Sequence, residues 1–309
     1  FLSNRVSEEE KPGDEKKRKT QIWTIPADGG EAKRLTAVEE GVQHPMWSPD
    51  GKVILFSSNV FKGEKAKDSD VKIIRRIRYK LNARGFFEGK WNHLFAMPSV
   101  GGKVKQLTDG EFDVDAFVWS SDGKRIAFVS NLEEDADLSY FKNIYVVPAK
   151  GGKPELLWKG KGPIGALGWS PDGKYLAFTG NIIDDPKQVV YKNSNVWVLP
   201  VKGGEPKNLT AKFDRTVGAE EGVLDWSPDS KYIYFKCDDL GCNHIFRVSL
   251  KGEVEKVTDG KMTVGSFSFD EAGSKFAFNA TDAMTPSELW IKDEKGMRCL
   301  TEMNKGLLK

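Results

Sequence analysis

The sequence predicts an all-β fold, a β-propeller of four-stranded antiparallel blades, and three observations carry that prediction. A six-residue anchor, Trp47-Ser48-Pro49-Asp50-Gly51-Lys52, returns at Trp119, Trp169 and Trp226 and, in degenerate form, at Phe269. Nine residues after every anchor stands a phenylalanine: Phe56, Phe128, Phe178, Phe235 and Phe278. A second block then alternates aromatic and aliphatic residues, turns at glycine and closes on Leu-Thr or a relative of it, as in Trp23-Thr24-Ile25-Pro26, Gly29-Gly30 and Leu35-Thr36.

Each repeat unit resolves into four strands. The anchor ends the first strand, its Pro-Asp-Gly makes a tight turn, and the phenylalanine lies on the second. Third strands open at Leu94, Ile144, Val196, Ile245 and Leu289, with Ile22 as an earlier relative. The fourth is short and follows the second glycine turn. From third-strand aromatic to closing residue the count is 12 for Trp23→Leu35, Phe95→Leu107, Tyr145→Leu157 and Trp197→Leu209. It shortens to 11 for Phe246→Val257 and 10 for Trp290→Leu300. One such meander cannot bury both of its faces, whereas sheets packed radially about an axis can. The repeated Trp and Phe residues are therefore expected in the core between blades.

Length varies almost only between the second and third strands. Phe56→Phe95 spans 39 residues, Phe178→Trp197 spans 19, Phe128→Tyr145 17, Phe278→Trp290 12 and Phe235→Phe246 11. In an up-and-down meander this connection shares one face with the link to the next blade, so function is expected on that face. Phe1-Leu2-Ser3-Asn4 matches Phe56-Ser57-Ser58-Asn59, a second strand. The expectation is one propeller domain over 1–309, truncated at its N-terminus, with five complete blades and one partial blade of seven in the full protein.

With 47 basic and 45 acidic residues, net +2, the chain lacks the basic excess of a dedicated nucleic-acid binder. No apolar run reaches the roughly 18 residues of a membrane span, and Phe1-Leu2-Ser3-Asn4-Arg5 lacks a signal-peptide pattern, so the expected location is the cytoplasm. A charged content of 30%, rich in Lys and Glu, points to a thermophile. Cys237 and Cys242 flank a short turn; they either bridge neighbouring strands or stay as free thiols, and free thiols are expected.

The anchor, the aromatic-aliphatic strand ending in Pro, the Gly-Gly turn and Leu-Thr together resemble the propeller of the prolyl oligopeptidase family of serine peptidases, especially its acylaminoacyl peptidase branch. They also resemble TolB, a non-catalytic periplasmic propeller that binds protein partners. Two segments favour the peptidase. Asp70-Val71-Lys72-Ile73-Ile74-Arg75-Arg76-Ile77-Arg78-Tyr79-Lys80-Leu81-Asn82, running on to Gly85-Phe86-Phe87, looks like that branch's long insertion. Leu300-Thr301, Asn304 and Leu307-Leu308 look like the exit into its α/β-hydrolase domain, which the resemblance implies after residue 309. It also implies a propeller that gates an active site acting on short or N-acylated peptides.

The chain itself carries no catalytic machinery. The family's nucleophile motif Gly-x-Ser-x-Gly is missing, and the nearest stretch, Gly265-Ser266-Phe267-Ser268, sits in a first strand. His93 and His244 both stand two residues before a third-strand aromatic, a repeat position that predicts a structural role; His44 precedes Pro45 in an inner strand. No His/Cys/Asp cluster has metal-ligand spacing, Asp68-Ser69-Asp70 and Asp135-Ala136-Asp137 read as solvated loops, and no cofactor is expected. Two constellations are candidates for contact with a substrate or partner. Arg75, Arg76, Arg78, Lys80 and Arg84 gather cations on the longest loop, suited to a peptide carboxylate or to another subunit through the 60–93 insertion. Glu220 and Glu221 are suited to an amino terminus, although Glu39-Glu40 holds a similar place before another anchor.

Overall fold

The computed structural model describes residues 1–5, 18–62, 74, 76–81, 85–87, 89–134, 136–183, 185, 192–218 and 224–306. The chain divides into two compact units, Phe1–Lys159 and Gly160–Lys309. Among the described residues the only helical element is a 3-10 turn at Ala136–Leu138.

The first unit holds three antiparallel meanders. One is three-stranded: β1 (Leu2–Ser3), β2 (Gln21–Thr24) and β3 (Lys33–Arg34). The next runs from β4 (Gln43–Trp47) to β5 (Val53–Phe61), passes through a small hairpin of β6 (Lys80–Leu81) and β7 (Gly85–Phe86), and ends in β8 (Lys90–Pro98) and β9 (Lys105–Gln106). The third comprises β10 (Phe117–Trp119), β11 (Arg125–Ser130), β12 (Asn143–Pro148) and β13 (Glu155–Trp158).

The second unit continues the pattern. Its first meander is β14 (Ile164–Trp169), β15 (Tyr175–Gly180), β16 (Asn195–Pro200) and β17 (Lys207–Asn208). Next come β18 (Asp225–Trp226), β19 (Tyr232–Asp239), β20 (Cys242–Ser249) and β21 (Val254–Lys256), then β22 (Thr263–Phe269), β23 (Phe276–Thr281), β24 (Glu288–Asp293) and β25 (Gly296–Cys299). A single parallel bridge, Asn243↔Thr263, joins these last two meanders into one sheet.

The nine-residue interval has a direct physical meaning, because it sets each phenylalanine opposite the third-strand aromatic. Phe56 pairs with Phe95, Phe128 with Tyr145, Phe178 with Trp197, Phe235 with Phe246 and Phe278 with Trp290. All five ring pairs stack, with centroids 5.6 to 6.4 Å apart. Strand alternation then sends neighbours to opposite faces. Leu55 joins Phe128 and Tyr145 in the cluster between the second and third meanders, while Phe56 joins Ile22 and Val42 of the first. Phe235 and Phe246 likewise meet Val196 and Val198, and Phe278 meets Tyr234 and Ile245. Antiparallel four-stranded sheets stacked face to face in this way are the blades of a β-propeller.

The anchor's polar half is a clamp for the first turn. Ser48 Oγ donates to Asp50 Oδ1 at 2.7 Å and accepts the Val53 N–H at 2.9 Å, and the same bonds recur at Ser120, Ser170 and Ser227. The serine hydroxyl lowers the carboxyl pKa at Asp50, Asp122 and Asp229, to about 2 at Asp229. Gly51, Gly123 and Gly173 take the left-handed backbone this turn requires, whereas Ser230 adopts it with φ 59° and accepts the Asp172 N–H through its hydroxyl.

Candidate functional site

Once the structural repeat is subtracted, the non-repeating residues stand out. The histidines go with the repeat. Two residues before five of the six third-strand aromatics, a polar side chain meets the threonine of Leu-Thr or its relative: Gln21 with Thr36, His93 with Thr108, Asn195 with Thr210, His244 with Thr258 and Glu288 with Thr301. That threonine's hydroxyl also accepts the next backbone N–H, from Ile22, Leu94, Val196, Ile245 or Leu289. The latch ties the fourth strand back to the third, and burial lowers the pKa of both His93 and His244. His44 lies edge-on to Phe117. Ser266 donates to Asn279 at 2.8 Å. Among the described residues no group of three or more His, Cys, Asp or Glu could hold a metal ion. The three thiols are free, and burial pushes the Cys237 thiol up to about 11. Cys237 faces His244 across the ladder while Cys242 faces Asp239, which separates the two sulfurs.

What remains is one edge of the first unit. Three connections meet there: the insertion between β5 and β8, the β11–β12 loop, and the link from β9 to β10. Arg76 joins them. Its guanidinium donates to Asp137 Oδ1 at 3.0 Å, lies 3.8 Å above the Trp91 ring and stands 4.0 Å from Asp113. Arg78 donates to the Ser139 carbonyl at 2.5 Å and covers the Tyr140 ring. Asp113 accepts the Asn92 N–H at 2.8 Å, and burial raises its carboxyl pKa. Lys62–Asp109, Lys90–Glu40 and Lys142–Asp115 pairs, 2.6 to 2.9 Å long, close the same edge. Exposed apolar side chains accompany these charges: Ile77, Tyr79, Phe86, Leu138 and Tyr140.

Arg76 and Arg78 are engaged by the propeller's own residues, since each guanidinium sits within reach of an aromatic face and an acceptor. Asp137, expected in a solvated loop, holds Arg76 instead. Glu40 is a structural ion-pair partner of Lys90 and, at 4.0 Å, of Lys19. Arg75, Arg84, Glu220 and Glu221 lie outside the described residues, as do Asp68, Ser69 and Asp70. Trp91, Asp113, Asp137 and Ser139 are the residues that sequence reasoning missed. Their one signal is that each departs from the repeat beside the longest insertion. In the second unit, the β15–β16 connection and the link after β17 line an open cleft of about 520 Å³, with Asn181, Asn193, Trp197, Lys212, Phe213 and Asp214 on its walls.

Comparison with known proteins adds three findings. The family model for the acylaminoacyl-peptidase N-terminal beta-propeller domain matches residues 14–286. A curated Bacillus subtilis (strain 168) relative, the uncharacterized peptidase YuxL, is 36% identical over 291 residues, which cover 87% of this chain and 43% of that protein. The chain thus spans less than half the length of that relative. Among solved structures, acylaminoacyl peptidase from Pyrococcus horikoshii superposes with a TM-score of 0.70 at 20% identity, covering 93% of this chain and 42% of that one. A putative TolB from Agrobacterium tumefaciens gives 0.58 at 23% identity, covering 88% and 84%. Likeness at these identities shows the propeller fold alone.

Proposed function

The chain belongs to the acylaminoacyl-peptidase N-terminal β-propeller family, and from that premise we propose that it is the substrate-gating domain of a cytoplasmic serine hydrolase acting on short or N-acylated peptides. In this reading the α/β-hydrolase domain lies beyond residue 309 and supplies the nucleophile, the general base and the oxyanion donors. The propeller supplies exclusion. Its rigid repeat walls off bulky folded substrates, and its loop edge contacts the catalytic domain.

The observation that carries the proposal is that, among the described residues, three connections of the first unit meet at one edge. There the Arg76 guanidinium, held between Asp137 and Trp91, fixes the insertion against the adjacent loop. That fixing keeps Ile77, Tyr79, Phe86, Leu138 and Tyr140 exposed at low entropic cost, which suits a surface meant to be covered by another domain.

The test is a size-selectivity assay on the parent enzyme. Replacing residues 63–88 by a two-residue Asn-Gly turn should raise cleavage of long peptides relative to an acyl-amino-acid chromogenic substrate. The chain 1–309 alone should turn over neither. Unchanged selectivity in the shortened enzyme would reject the gating role, and inhibitor-sensitive hydrolysis by the chain alone would reject the division of labour.

A further inference from the structure

The second unit has an irregular corner of its own. Phe178→Trp197 spans 19 residues, and Leu209→Trp226 spans 17 where the other four links from closing residue to anchor span 12. These two longest connections of the unit wall the open cleft of about 520 Å³, a volume inside the roughly 300–1,000 Å³ range of small-ligand sites. Asn193 ties the walls together. Its Nδ2 donates to Asp214 Oδ1 at 3.1 Å, and its Oδ1 accepts the Thr216 hydroxyl at 3.0 Å. Trp197 and Phe213 supply the apolar lining, the first stacked on Phe178 at 6.2 Å and the second packed on Phe246 at 5.4 Å. Tied walls and backed aromatics keep the cleft in shape when it is empty, which lowers the cost of binding.

Three polar groups of this cleft lack a partner among the described residues. The first is Asn181 Oδ1. Asn181 and Asn131 hold the same place, three residues after the repeat phenylalanine and directly after the second strand. Asn131 Oδ1 accepts the Glu133 N–H at 3.0 Å. The equivalent N–H, that of Ile183, is donated instead to the Lys161 carbonyl at 2.8 Å, so the buried Asn181 Oδ1 accepts no hydrogen bond. A buried amide oxygen left in this state calls for a donor. The other two groups are the ammonium groups of Lys192 and Lys212, one on each wall and both exposed. Arg215, a third cation nearby, is taken by Asp239 at 2.7 Å. Asp214 is the one carboxylate among the lining residues, against two lysines, so the walls favour an anion.

We propose that the cleft takes the C-terminal end of a peptide, with its carboxylate between Lys192 and Lys212, its last N–H on Asn181 Oδ1 and its last side chain against Trp197 and Phe213. The three unmet groups and the aromatic wall select this class together. An inorganic anion satisfies the lysines and leaves the amide oxygen and the rings unused. A neutral sugar uses the amide and the rings and leaves two cations unpaired. The last residue of a peptide carries a carboxylate, an N–H donor and a side chain on one carbon, and so meets every demand at once. The site goes beyond the gating reading and does not rest on it, because binding is measured without turnover.

The experiment titrates the whole chain, labelled with 5-fluorotryptophan, with the dipeptide acid N-acetyl-Ala-Leu. The Trp197 fluorine resonance, assigned by Trp197→Phe, should shift saturably while the other tryptophan resonances stay in place. The C-terminal amide of the same dipeptide should bind about fivefold more weakly or worse, and so should the acid to the double variant Lys192→Gln, Lys212→Gln. Added salt should weaken the acid and leave the amide unchanged. An ester analogue with oxygen in place of the last N–H should lose about threefold or more, a readout that leaves the protein unaltered. A Trp197 resonance that does not move would overturn the proposal, as would equal binding of acid and amide. Acetate binding as tightly as the dipeptide would reduce the cleft to an anion site, and an ester binding as tightly would overturn the role given to Asn181.

Discussion

The blade of β4, β5, β8 and β9 and the blade of β18 to β21 have the same kind of ring pair at their centres and differ at their edges. In one, β5 and β8 pair from Val53↔Pro98 to Phe61↔Lys90; in the other, β19 and β20 pair from Tyr232↔Ser249 to Asp239↔Cys242. Phe56 stacks on Phe95 at 5.7 Å and Phe235 on Phe246 at 5.9 Å, nearly parallel in both. Yet the first ladder is closed by the long connection 62–89 and the second by Leu240-Gly241 alone. Lengthening the connection therefore leaves the ladder intact. Loop closure costs grow only slowly with length, so this edge carries new side chains without disturbing what is buried.

The sharpest way to break the comparison is to empty the two cores. Phe56→Ala and Phe235→Ala should each destabilise by about 3–5 kcal/mol, because both rings are fully buried and stacked. Chemical denaturation of the two variants checks this. A loss at Phe56 much smaller than at Phe235 would mean that the insertion loosens its blade.

Arg76 is the next test, and it concerns the insertion alone. Arg76→Ala removes the bond to Asp137 and the stacking on Trp91, and it should cost about 1–2 kcal/mol. A free cation would cost almost nothing. A double-mutant cycle with Asp137→Ala should return a coupling of the same sign, and a coupling near zero would show that the pair is ornamental.

These two residue classes also mark what was legible in the sequence. The phenylalanines recur at a fixed interval, and the serine clamps and threonine latches recur in most blades, because strand register forces the same neighbours together. One sequence therefore contains its own alignment. His93 and His244 were recognisable as structural for that reason. Arg76 and Asp137 lie 61 positions apart with no second copy to compare, so only folding brings the pair to light. Trp47 is the converse case. Its motif is identical to that of Trp169 and, nearly, of Trp119, yet Trp47 is 55% exposed where those two are 7% and 6%, a difference that no local pattern encodes. The bridge Asn243↔Thr263, which merges two blades into one sheet, is equally silent in the sequence.

The smallest effects lie in the two connections themselves, and they should differ in sign. Leu240 and Gly241 both have positive φ, 52° and 80°, the backbone of a type I′ turn that matches the strand twist but disfavours a leucine. Leu240 is 96% exposed and has no packing to lose. Leu240→Asn should therefore stabilise the chain by about 0.5–1 kcal/mol by relieving the left-handed strain. At the base of the insertion, Gly89 has φ 74°, and a Cβ there would stand 3.0 Å from the Lys62 carbonyl oxygen. That oxygen belongs to a backbone position already fixed by the Lys62 N–H donating to Gly89. Gly89→Ala should therefore destabilise by about 1 kcal/mol or more, since strain and crowding act together. Denaturation midpoints for the two variants settle the matter. If Leu240→Asn lowered the midpoint, leucine would be contributing at the short turn in a way its exposure denies. If Gly89→Ala were neutral, the insertion would leave its ladder by a path loose enough to absorb a methyl group, and its closure would not be the rigid counterpart of the two-residue turn.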